Sequence, residues 1–291
     1  MVDRLLLDQA SLAYRAFFAL PTTITDGEGR SVNAAHGYLD MTAHLIREHA
    51  PGEIVHCLDD DWRPAPRVAA YAGYKAERPP DPEALPHQFP LIDAVLEASG
   101  GVRARAVGWE ADDVIGTLCT TAQAGSQVDI VTGDRDLLQL VRDATPEEPG
   151  VRVLFTVKGV KDLATFDEAA VQAKYGVPAQ RYVDFAILRG DPSDGLPGVK
   201  GVGEKTARDL VRQYASIEAL LEAAPDLSPA LAFRLEGARD YLAAMQDVVP
   251  VRPDAQITYH RGRRDDAVLD QLAERHSLNG PIRRLREALD A

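Results

Sequence analysis

Acidic side chains recur at the ends of apolar, strand-like runs in this sequence. Asp8 closes the run RLLLD, Asp59 closes EIVHCLD, and Asp134 follows VDIVTG with Asp136 two residues later. Because the carboxyl ends of strands in an open α/β sheet meet at the edge that holds its binding crevice, we expect these carboxylates to converge. Unpaired carboxylates that lie close together resist ionisation, and divalent cations such as Mg²⁺ or Mn²⁺ remove that penalty. The pattern predicts a metal-dependent enzyme that acts on phosphate.

Two further acidic groups lie outside the strand ends. GWEADDVIGTL carries Glu110, Asp112 and Asp113 within one helical turn, and the turn-like segment RGDPSDGLPG carries Asp191 and Asp194. Residues three apart share a helix face, so Glu110 and Asp113 are expected to lie together while Asp112 is rotated away from both. Acids in a first turn also favour the helix dipole. That alternative explains any single acid, but not why acids also end three strands.

The elements that must position these acids follow an alternating pattern. Strand-like runs alternate with amphipathic helical stretches through about residue 157, which predicts an α/β fold with a mostly parallel central sheet flanked by helices. From about residue 178 helical signals dominate, with AQITYH as an extended piece and two closing helices at the end. We therefore expect a catalytic core over residues 1–177 and a helical subdomain over residues 178–291.

Residues 60–90 form a third region, rich in proline and basic residues, between Asp59 and the next helix. Its interior, VAAYAGYKAE, is compatible with a helix. One interpretation is a plain surface loop. The other is a functional lid or binding segment, which we favour because long loops without regular structure are uncommon and often functional.

The segment GVKGVGEKTA at 198–207 is a more specific signal than any single acid. Its closely spaced glycines lead into a helix whose first turn carries Lys205 and Thr206. Backbone N–H groups and a helix N-terminus at such a hairpin suit a phosphodiester. The spacing GxxxxGK[ST] of a nucleotide-binding P-loop is absent. The segment resembles the helix–hairpin–helix element that binds the DNA backbone irrespective of base sequence.

The amino-acid composition excludes several classes of protein. The net charge of −13 argues against general nucleic-acid binding unless the acids are gathered in one metal site and the bases lie elsewhere. Two cysteines in 291 residues support neither a disulfide framework nor a zinc site. No apolar run is long enough to span a membrane, and no signal peptide is visible. We expect a cytoplasmic protein with no membrane association.

Taken together, the motifs resemble the structure-specific 5′ nuclease family, which includes flap endonucleases and the 5′-exonuclease domain of bacterial DNA polymerase I. The supporting runs occur in the family's order: LLLDQASLAYRAFFALP, YKAERPP, GWEADDVIGTL, VTGDRDLLQLV, KYGVP and LRGDPSDGLPGVKGVGEKTA. The resemblance implies a PIN-like core, a helical arch over about 60–90, and a helix–hairpin–helix subdomain. Because the polymerase and proofreading parts are absent, it implies a free-standing bacterial member.

The resemblance also implies two or more Mg²⁺ or Mn²⁺ ions. The first ion would be held by Asp8, Asp59, Glu110 and Asp112, and the second by Asp134, Asp136, Asp191 and Asp194, with Asp112 or Asp113 near the boundary. Two such ions would activate a water molecule and stabilise the leaving oxygen. Family members of this kind leave 5′-phosphate ends. They also bind K⁺ at the hairpin, so K⁺ is a secondary expectation.

Basic and aromatic positions carry over in the same way. Arg15, Lys75 and Arg78 match basic residues that grip the scissile phosphate, and Tyr74 matches an aromatic position that would stack on a terminal base. Arg67 lies two helical turns before Lys75 and is expected to share its DNA-facing side. The residues expected to bind duplex DNA at the hairpin are Gly198, Lys200, Gly201, Gly203, Lys205 and Thr206.

The sequence departs from the family pattern at four positions. Gln9 follows Asp8 where relatives of polymerase I usually have Gly, and Gly195 follows Asp194 where they usually have Asn. Asp60 and Asp61 add two acids after Asp59. These two either bind a further ion or form a solvated acidic turn. None of these four departures removes a predicted metal ligand.

The sequence predicts a metal-dependent flap endonuclease and 5′-3′ exonuclease of replication and repair. Its partner would be DNA with a 5′ single-stranded flap, nick or gap, RNA-containing strands included, because recognition rests on backbone shape more than on bases. We expect a monomer located at the nucleoid. The alternatives are a PIN-like ribonuclease and a DNA-structure-binding protein with weak or no catalysis.

Overall fold

A seven-stranded sheet forms the core of the computed structural model, which describes residues 2–291. The strands lie in the order β6-β5-β4-β1-β2-β3-β7. The five central strands, β1 to β5, all run parallel to one another. The edge strands β6 and β7 run antiparallel to their neighbours β5 and β3. The strands are β1 (Arg4–Asp8), β2 (Glu53–Leu58), β3 (Val102–Ala106), β4 (Gln127–Thr132), β5 (Gly150–Thr156), β6 (Leu163–Phe166) and β7 (Ile257–Arg261). The predicted mostly parallel sheet is confirmed.

Helices cover both faces of this sheet, because side chains alternate along each strand. On β1, Leu5 and Leu7 enter one apolar core and Leu6 enters the other, and all three are fully buried. The helices are α1 (Gln9–Ala19), α2 (Asn33–His49), α3 (Ala65–Ala70), α4 (Gln88–Ser99), α5 (Ala111–Thr120), α6 (Glu168–Tyr175), α7 (Tyr182–Arg189), α8 (Glu204–Gln213), α9 (Ile217–Glu222), α10 (Pro229–Gly237), α11 (Arg239–Val248), α12 (Asp266–Arg275) and α13 (Asn279–Leu289).

The end of the chain returns to the sheet. The expected extended piece AQITYH contains β7, which pairs with β3. The closing helices are both present, and α13 packs on α2, where Arg284 Nε donates to Asp40 Oδ1 at 2.7 Å. Residues beyond β7 therefore lie against the sheet-containing part of the chain rather than against helices α7–α11. The division at residues 177 and 178 stays a prediction.

Helices α7 and α8 flank the glycine-rich segment at 198–207, as expected for a helix–hairpin–helix. Gly198 and Gly201 adopt φ values of 67° and 76°, in the left-handed region that glycine tolerates. Val199 N donates to Leu188 O at 3.0 Å, which fixes the hairpin to the end of α7. Exposed glycines and lysines are thereby presented at the start of α8.

The region between β2 and α4 is compact in this structure. It contains the six-residue helix α3 followed by turns through residue 87, and not one continuous helix. Pro79, Pro80, Pro82 and Pro86 disfavour a helix between α3 and α4, since proline removes a backbone donor and clashes with the preceding turn. Pro64, Pro66 and Pro90 lie at helix starts, where proline is tolerated. The segment that follows α3 lies across the carboxyl ends of the strands, where the predicted acids are.

Over residues 2–291 no helix is long and apolar enough to cross a membrane. Both cysteines, Cys57 and Cys119, are buried free thiols.

Candidate active site

The ends of β1 and β2 bring the first acids to one edge of the sheet. Asp8 ends β1 and caps α1, with Oδ1 accepting from Ser11 N at 3.1 Å and Oδ2 accepting from Thr132 Oγ1 at 2.7 Å. Asp59 follows β2, and its Oδ1 accepts from Ala111 N at the start of α5 at 2.7 Å. Parallel pairing of β1 with β2 and β4 makes this convergence necessary.

The turn after β4 adds two more acids. Gly133 lets the chain turn closely under α1, because any side chain there would meet Arg15 and Ser11 at about 3.2 Å. Asp136 N donates to Asp134 Oδ1 at 2.8 Å. Asp136 Oδ1 is buried and has no hydrogen-bond partner. A buried carboxylate oxygen without a donor requires an explanation, and a bound cation would supply one.

Electrostatics at this edge disfavour ionised carboxylates. Burial raises the pKa of Asp8 to about 7, the hydrogen bond from Thr132 opposes that rise, and the charge of Asp59 adds to it. Burial, followed by the charges of Asp134 and Asp8, raises the pKa of Asp112 well above its usual value. The carboxylates therefore lie within electrostatic reach of one another, as a shared cation site needs.

Asp136, in the turn after β4, also has a carboxyl group whose ionisation is disfavoured. Burial, and then the charges of Asp134 and Asp194, raise the pKa of Asp136 well above its usual value. Asp112, Asp136 and Asp194 also line one small cavity. The donor set consists of oxygens alone, which suits Mg²⁺ or Mn²⁺ and not a soft-ligand zinc site.

The 191–196 turn carries the last two acids. Asp191 Oδ1 accepts from Ser193 N at 2.9 Å, and its Oδ2 lies 4.0 Å from both Arg135 Nη2 and Arg189 Nη2. Asp194 Oδ1 accepts from Arg78 Nη2 at 3.0 Å. Both acids therefore have basic neighbours in this conformation.

Glu110 accepts hydrogen bonds from three different side chains. Its side chain is buried, and Oε2 accepts from Arg67 Nη1 at 2.5 Å and from Tyr74 OH at 2.7 Å. Oε1 accepts a short hydrogen bond from Lys75 Nζ. Among residues 2–291 no three His, Cys, Asp or Glu side chains are already arranged around one metal position. Glu110 and Asp194 are paired with Lys75 and Arg78 in this structure.

Lys75 is held in this role by its backbone as well as its side chain. It has φ of 50°, uncommon for a residue other than glycine, and Lys75 N donates to Asp194 O at 2.9 Å. Burial alone would lower the pKa of Lys75, but the charges of Glu110 and Asp194 outweigh it and raise the pKa above its usual value. Lys75 is therefore a buried ammonium among carboxylates, at a strained backbone position.

The structure corrects two expectations about DNA-facing side chains. Arg67 and Tyr74 have only 3% and 4% of their surface exposed, so neither is available to a phosphate or a base in this conformation. Burial, and then the charge of Glu110, raise the pKa of Tyr74 far above its usual value. Tyr74 is a donor to Glu110 here, not a stacking platform.

Asp113 likewise differs from the expected metal ligand. It is fully buried, and its oxygens accept from Arg67 at 2.7 and 2.8 Å. Oδ1 also accepts from Arg252 N at 2.9 Å, and Oδ2 accepts from Glu110 N at 3.2 Å. Both Asp113 oxygens are therefore occupied by nitrogen donors in this conformation.

Comparison with known proteins gives the chain a family. The profile of the N-terminal resolvase-like domain of 5′-3′ exonucleases matches residues 3–176, and that of their C-terminal SAM-fold domain matches residues 177–267. The chain belongs to the 5′-3′ exonuclease family. The resemblance found in the sequence motifs is thereby confirmed.

Individual relatives span the same length. A 5′-3′ exonuclease of Streptomyces coelicolor is 47% identical, with 99% of this chain and 100% of the relative aligned. A 5′-3′ exonuclease of Mycobacterium tuberculosis is 40% identical, with 98% and 97% aligned. The flap endonuclease of bacteriophage T5, solved as a pseudo-enzyme–product complex with DNA and metal ions, aligns over 99% of both chains with a TM-score of 0.66. At 14% identity this last likeness shows the fold alone.

In this member of the 5′-3′ exonuclease family the hairpin presents an accessible basic surface. Lys200, Gly203 and Lys205 are exposed, and Thr206 is half-buried in the first turn of α8. Gly201 O accepts a long contact of 3.4 Å from Arg234 Nη1. Arg234 thereby supplies positive charge to one backbone carbonyl of the hairpin.

The remaining predicted residues are accounted for by local contacts. Arg15 Nη1 donates to Val157 O at 3.2 Å and lies over the turn at Gly133. Asp60 Oδ2 accepts from Gly108 N at 2.8 Å, and Asp61 N donates to Trp109 O at 3.2 Å. Asp60 and Asp61 thus form a hydrogen-bonded acidic turn, which favours the second of the two interpretations given above.

Sequence reasoning missed several supporting residues. Thr132 fixes both Asp8 and Asp134, the latter through a 2.9 Å hydrogen bond from Asp134 N, and Arg135 and Arg189 flank Asp191. A polar residue at the end of an apolar strand was the available signal for Thr132. The arginines had none, since charge runs are usually solvated.

Proposed function

We propose that this chain is a metal-dependent 5′ nuclease that cleaves 5′-flap, nicked or gapped DNA as a flap endonuclease and 5′-3′ exonuclease in replication and repair. The observation that carries the proposal is the group of carboxylates with raised pKa values at one sheet edge, with Asp136 Oδ1 unpartnered among them. Arg15, Lys75 and Arg78 surround it with positive charge. Carboxylates and basic groups together fit a metal-assisted attack on a phosphodiester.

Following the family resemblance, we assign the acids to two groups. Asp8, Asp59, Glu110 and Asp112 are proposed for a first ion, and Asp134, Asp136, Asp191 and Asp194 for a second. When bound, such ions would activate water and stabilise the leaving 3′-oxygen, which leaves a 5′-phosphate. Thr132 and Ser11 hold Asp8 in place for this role, and Ala111 N does the same for Asp59.

Lys75 and Arg78 are proposed to exchange partners during the reaction cycle. In this structure they neutralise Glu110 and Asp194. Once cations satisfy those acids, both side chains are free to grip the scissile phosphate and offset its developing charge. Arg78 already has 41% of its side chain exposed, so it needs the smaller movement.

Recognition of the substrate is assigned to two surfaces. The hairpin at 198–207 would hold the duplex through backbone N–H groups, Lys200 and Lys205, with K⁺ as a secondary ligand competing with Arg234 for Gly201 O. The segment between β2 and α4 would select a free 5′ strand. Because phosphate contacts dominate this mode, RNA-containing strands are included among the substrates.

Cleavage of a 5′-labelled flap substrate with Mg²⁺, Mn²⁺ or EDTA tests the proposal. We expect cutting near the flap junction with either metal and none with EDTA, and the products should carry 5′-phosphates. Binding of flap DNA without cutting in either metal would favour the DNA-structure-binding alternative. Preference for single-stranded RNA over the flap would favour the PIN-like ribonuclease. We expect a monomer by light scattering, and the nucleoid location stays a prediction.

A further inference from the structure

Arg67 is one of the most completely satisfied polar groups in the molecule. Its guanidinium has five N–H donors, and each has an acceptor. Nη1 donates to Glu110 Oε2 and to Asp113 Oδ2 at 2.8 Å, and Nη2 donates to Asp113 Oδ1 at 2.7 Å. This is a fork-on-carboxylate pair in a site from which solvent is excluded.

The other two donors reach a distant part of the chain. Arg67 Nε donates to Val248 O at 2.9 Å, at the end of α11, and Nη2 donates to Pro250 O at 3.2 Å. Asp113 also faces that segment by accepting from Arg252 N. The pair therefore joins α3, the first turn of α5 and the chain that follows α11.

Glu110 is held asymmetrically as a result. Oε2 is anchored by Tyr74 OH and by Arg67, whose own position is fixed by its four other acceptors. Oε1 is bound by Lys75, an ammonium on a flexible four-carbon stem. Oε1 is thus the oxygen with an exchangeable cationic partner, and Oε2 is the oxygen that sets the orientation of the carboxylate.

We propose that Arg67, paired with Asp113, is a positioning residue for the reaction: it fixes Glu110 through Oε2 so that Oε1 can serve the metal. This inference rests on the proposed function, in which Glu110 is a metal ligand. It replaces the expectations that Arg67 contacts DNA and that Asp113 is a ligand. It also makes the placement of Glu110 depend on the segment after α11, so the helical part of the chain supports the metal site directly.

The test compares Arg67→Lys with Arg152→Lys. Arg152 makes the same kind of pair with a fully buried carboxylate, Nε to Asp129 Oδ1 at 2.9 Å and Nη2 to Asp129 Oδ2 at 2.7 Å, in strands β4 and β5. Each variant is measured for Mn²⁺ affinity without DNA, for flap-DNA affinity in EDTA across a salt series, and for thermal unfolding in EDTA.

We expect Arg67→Lys to weaken Mn²⁺ binding by about 10- to 100-fold, the usual effect of losing a partner that orients a metal ligand. Cleavage should fall at low Mn²⁺ and recover as Mn²⁺ is raised. DNA affinity in EDTA and its salt dependence should match those of the wild type. Arg152→Lys should lose thermal stability while its Mn²⁺ affinity stays at the wild-type value.

Two results would overturn the inference. A lower DNA affinity with a salt slope reduced by about one would make Arg67 a phosphate contact. Unchanged Mn²⁺ affinity with only a loss of thermal stability would make its role structural. If Arg67→Lys does not fold, Asp113→Asn gives the same test, because it removes the charge that the fork grips. If wild-type protein binds Mn²⁺ but cuts no flap, the proposed function fails, whereas loss of Mn²⁺ affinity in Arg67→Lys would still support positioning.

Discussion

At the scale of single residues, positive and negative charges in the site are matched before any ligand binds. Lys75 lies between Glu110 and Asp194, and only 6% of its surface is exposed. Removing one partner of a buried ion pair leaves an uncompensated charge, which is strongly destabilising. Lys75 should therefore contribute to stability when metal is absent and become available for catalysis when metal is present.

The variant Lys75→Met tests this dual role. In EDTA we expect the free energy of unfolding to fall by about 3 kcal/mol, because Glu110 keeps Arg67 but loses the second of its two buried cations. Mg²⁺ should then raise the melting temperature more in the variant than in the wild type. Chemical and thermal denaturation with EDTA or Mg²⁺ measure both effects.

Arg78→Met is the matched control for that experiment. Arg78 pairs with the same Asp194 but is largely exposed, so its loss should cost less than about 1 kcal/mol. If Lys75→Met is as stable in EDTA as the wild type, the charge-matching account fails.

At the scale of elements, the sequence predicted the convergence of the acids because parallel strands end at one edge. It also predicted the helical region from about residue 178, which contains α7 to α11. The sequence did not indicate that residues 136–140 form a 3₁₀ turn. Hydrophobic periodicity in the local sequence determines where strands and helices form, so these elements could be predicted, whereas the 3₁₀ turn could not.

The sequence could not predict which basic residues turn inward. Arg67 is buried because it meets Val248 and Pro250, more than 180 residues later in the chain. A distant contact also explains why position 195 is a glycine. A side chain there would approach Gly73 O to 2.5 Å, and the φ of Gly195 is 72°. Contacts between distant segments, and not periodicity or composition, decide these positions.

Strand β2 contains a group whose ionisation should govern acid stability. Burial lowers the pKa of His56 to about 3, and its Nδ1 lies 2.5 Å from Tyr38 OH. The unfolded chain binds a proton to this histidine near pH 6.5 while the folded chain does not, so stability is lost as the pH falls below about 6.5. At pH 5 the loss from His56 should be about 2 kcal/mol.

Urea unfolding of the wild type and His56→Gln at pH 5 and pH 7.5, both in EDTA, isolates this contribution. The stability difference between the two proteins should shift by about 2 kcal/mol in favour of the variant at the lower pH. A difference that does not change with pH would show that His56 does not titrate in this way.

At the scale of the whole molecule, a net charge of −13 is compatible with DNA binding because acidic and basic side chains lie in different places. Nine of the 45 acidic residues are the predicted site acids, all buried or half-buried, while Lys200 and Lys205 are exposed at the hairpin. Binding to phosphates releases counterions, so each lysine that contacts a phosphate contributes about one unit to the salt slope of the affinity. The electrostatics of the hairpin can therefore be measured apart from the chemistry.

We expect Lys205→Ala to weaken flap binding and to reduce the salt slope by about one, with binding measured by fluorescence anisotropy in EDTA. Arg283→Ala is the matched control, because Arg283 is exposed on α13 and pairs with Glu287. The control should leave both quantities unchanged. An unchanged slope in Lys205→Ala would remove the hairpin from the duplex-binding surface.

The central claim is that cleavage depends on the carboxylates at the sheet edge, as ligands of the metal ions. Cutting of a 5′-flap substrate in Mn²⁺ by Asp134→Asn and Asp112→Asn, with DNA affinity measured in parallel, tests it most directly. We predict that both variants lose cleavage by more than the ~100-fold expected for an outer-shell partner, while each binds flap DNA like the wild type. Wild-type cleavage rates in both variants would contradict the account.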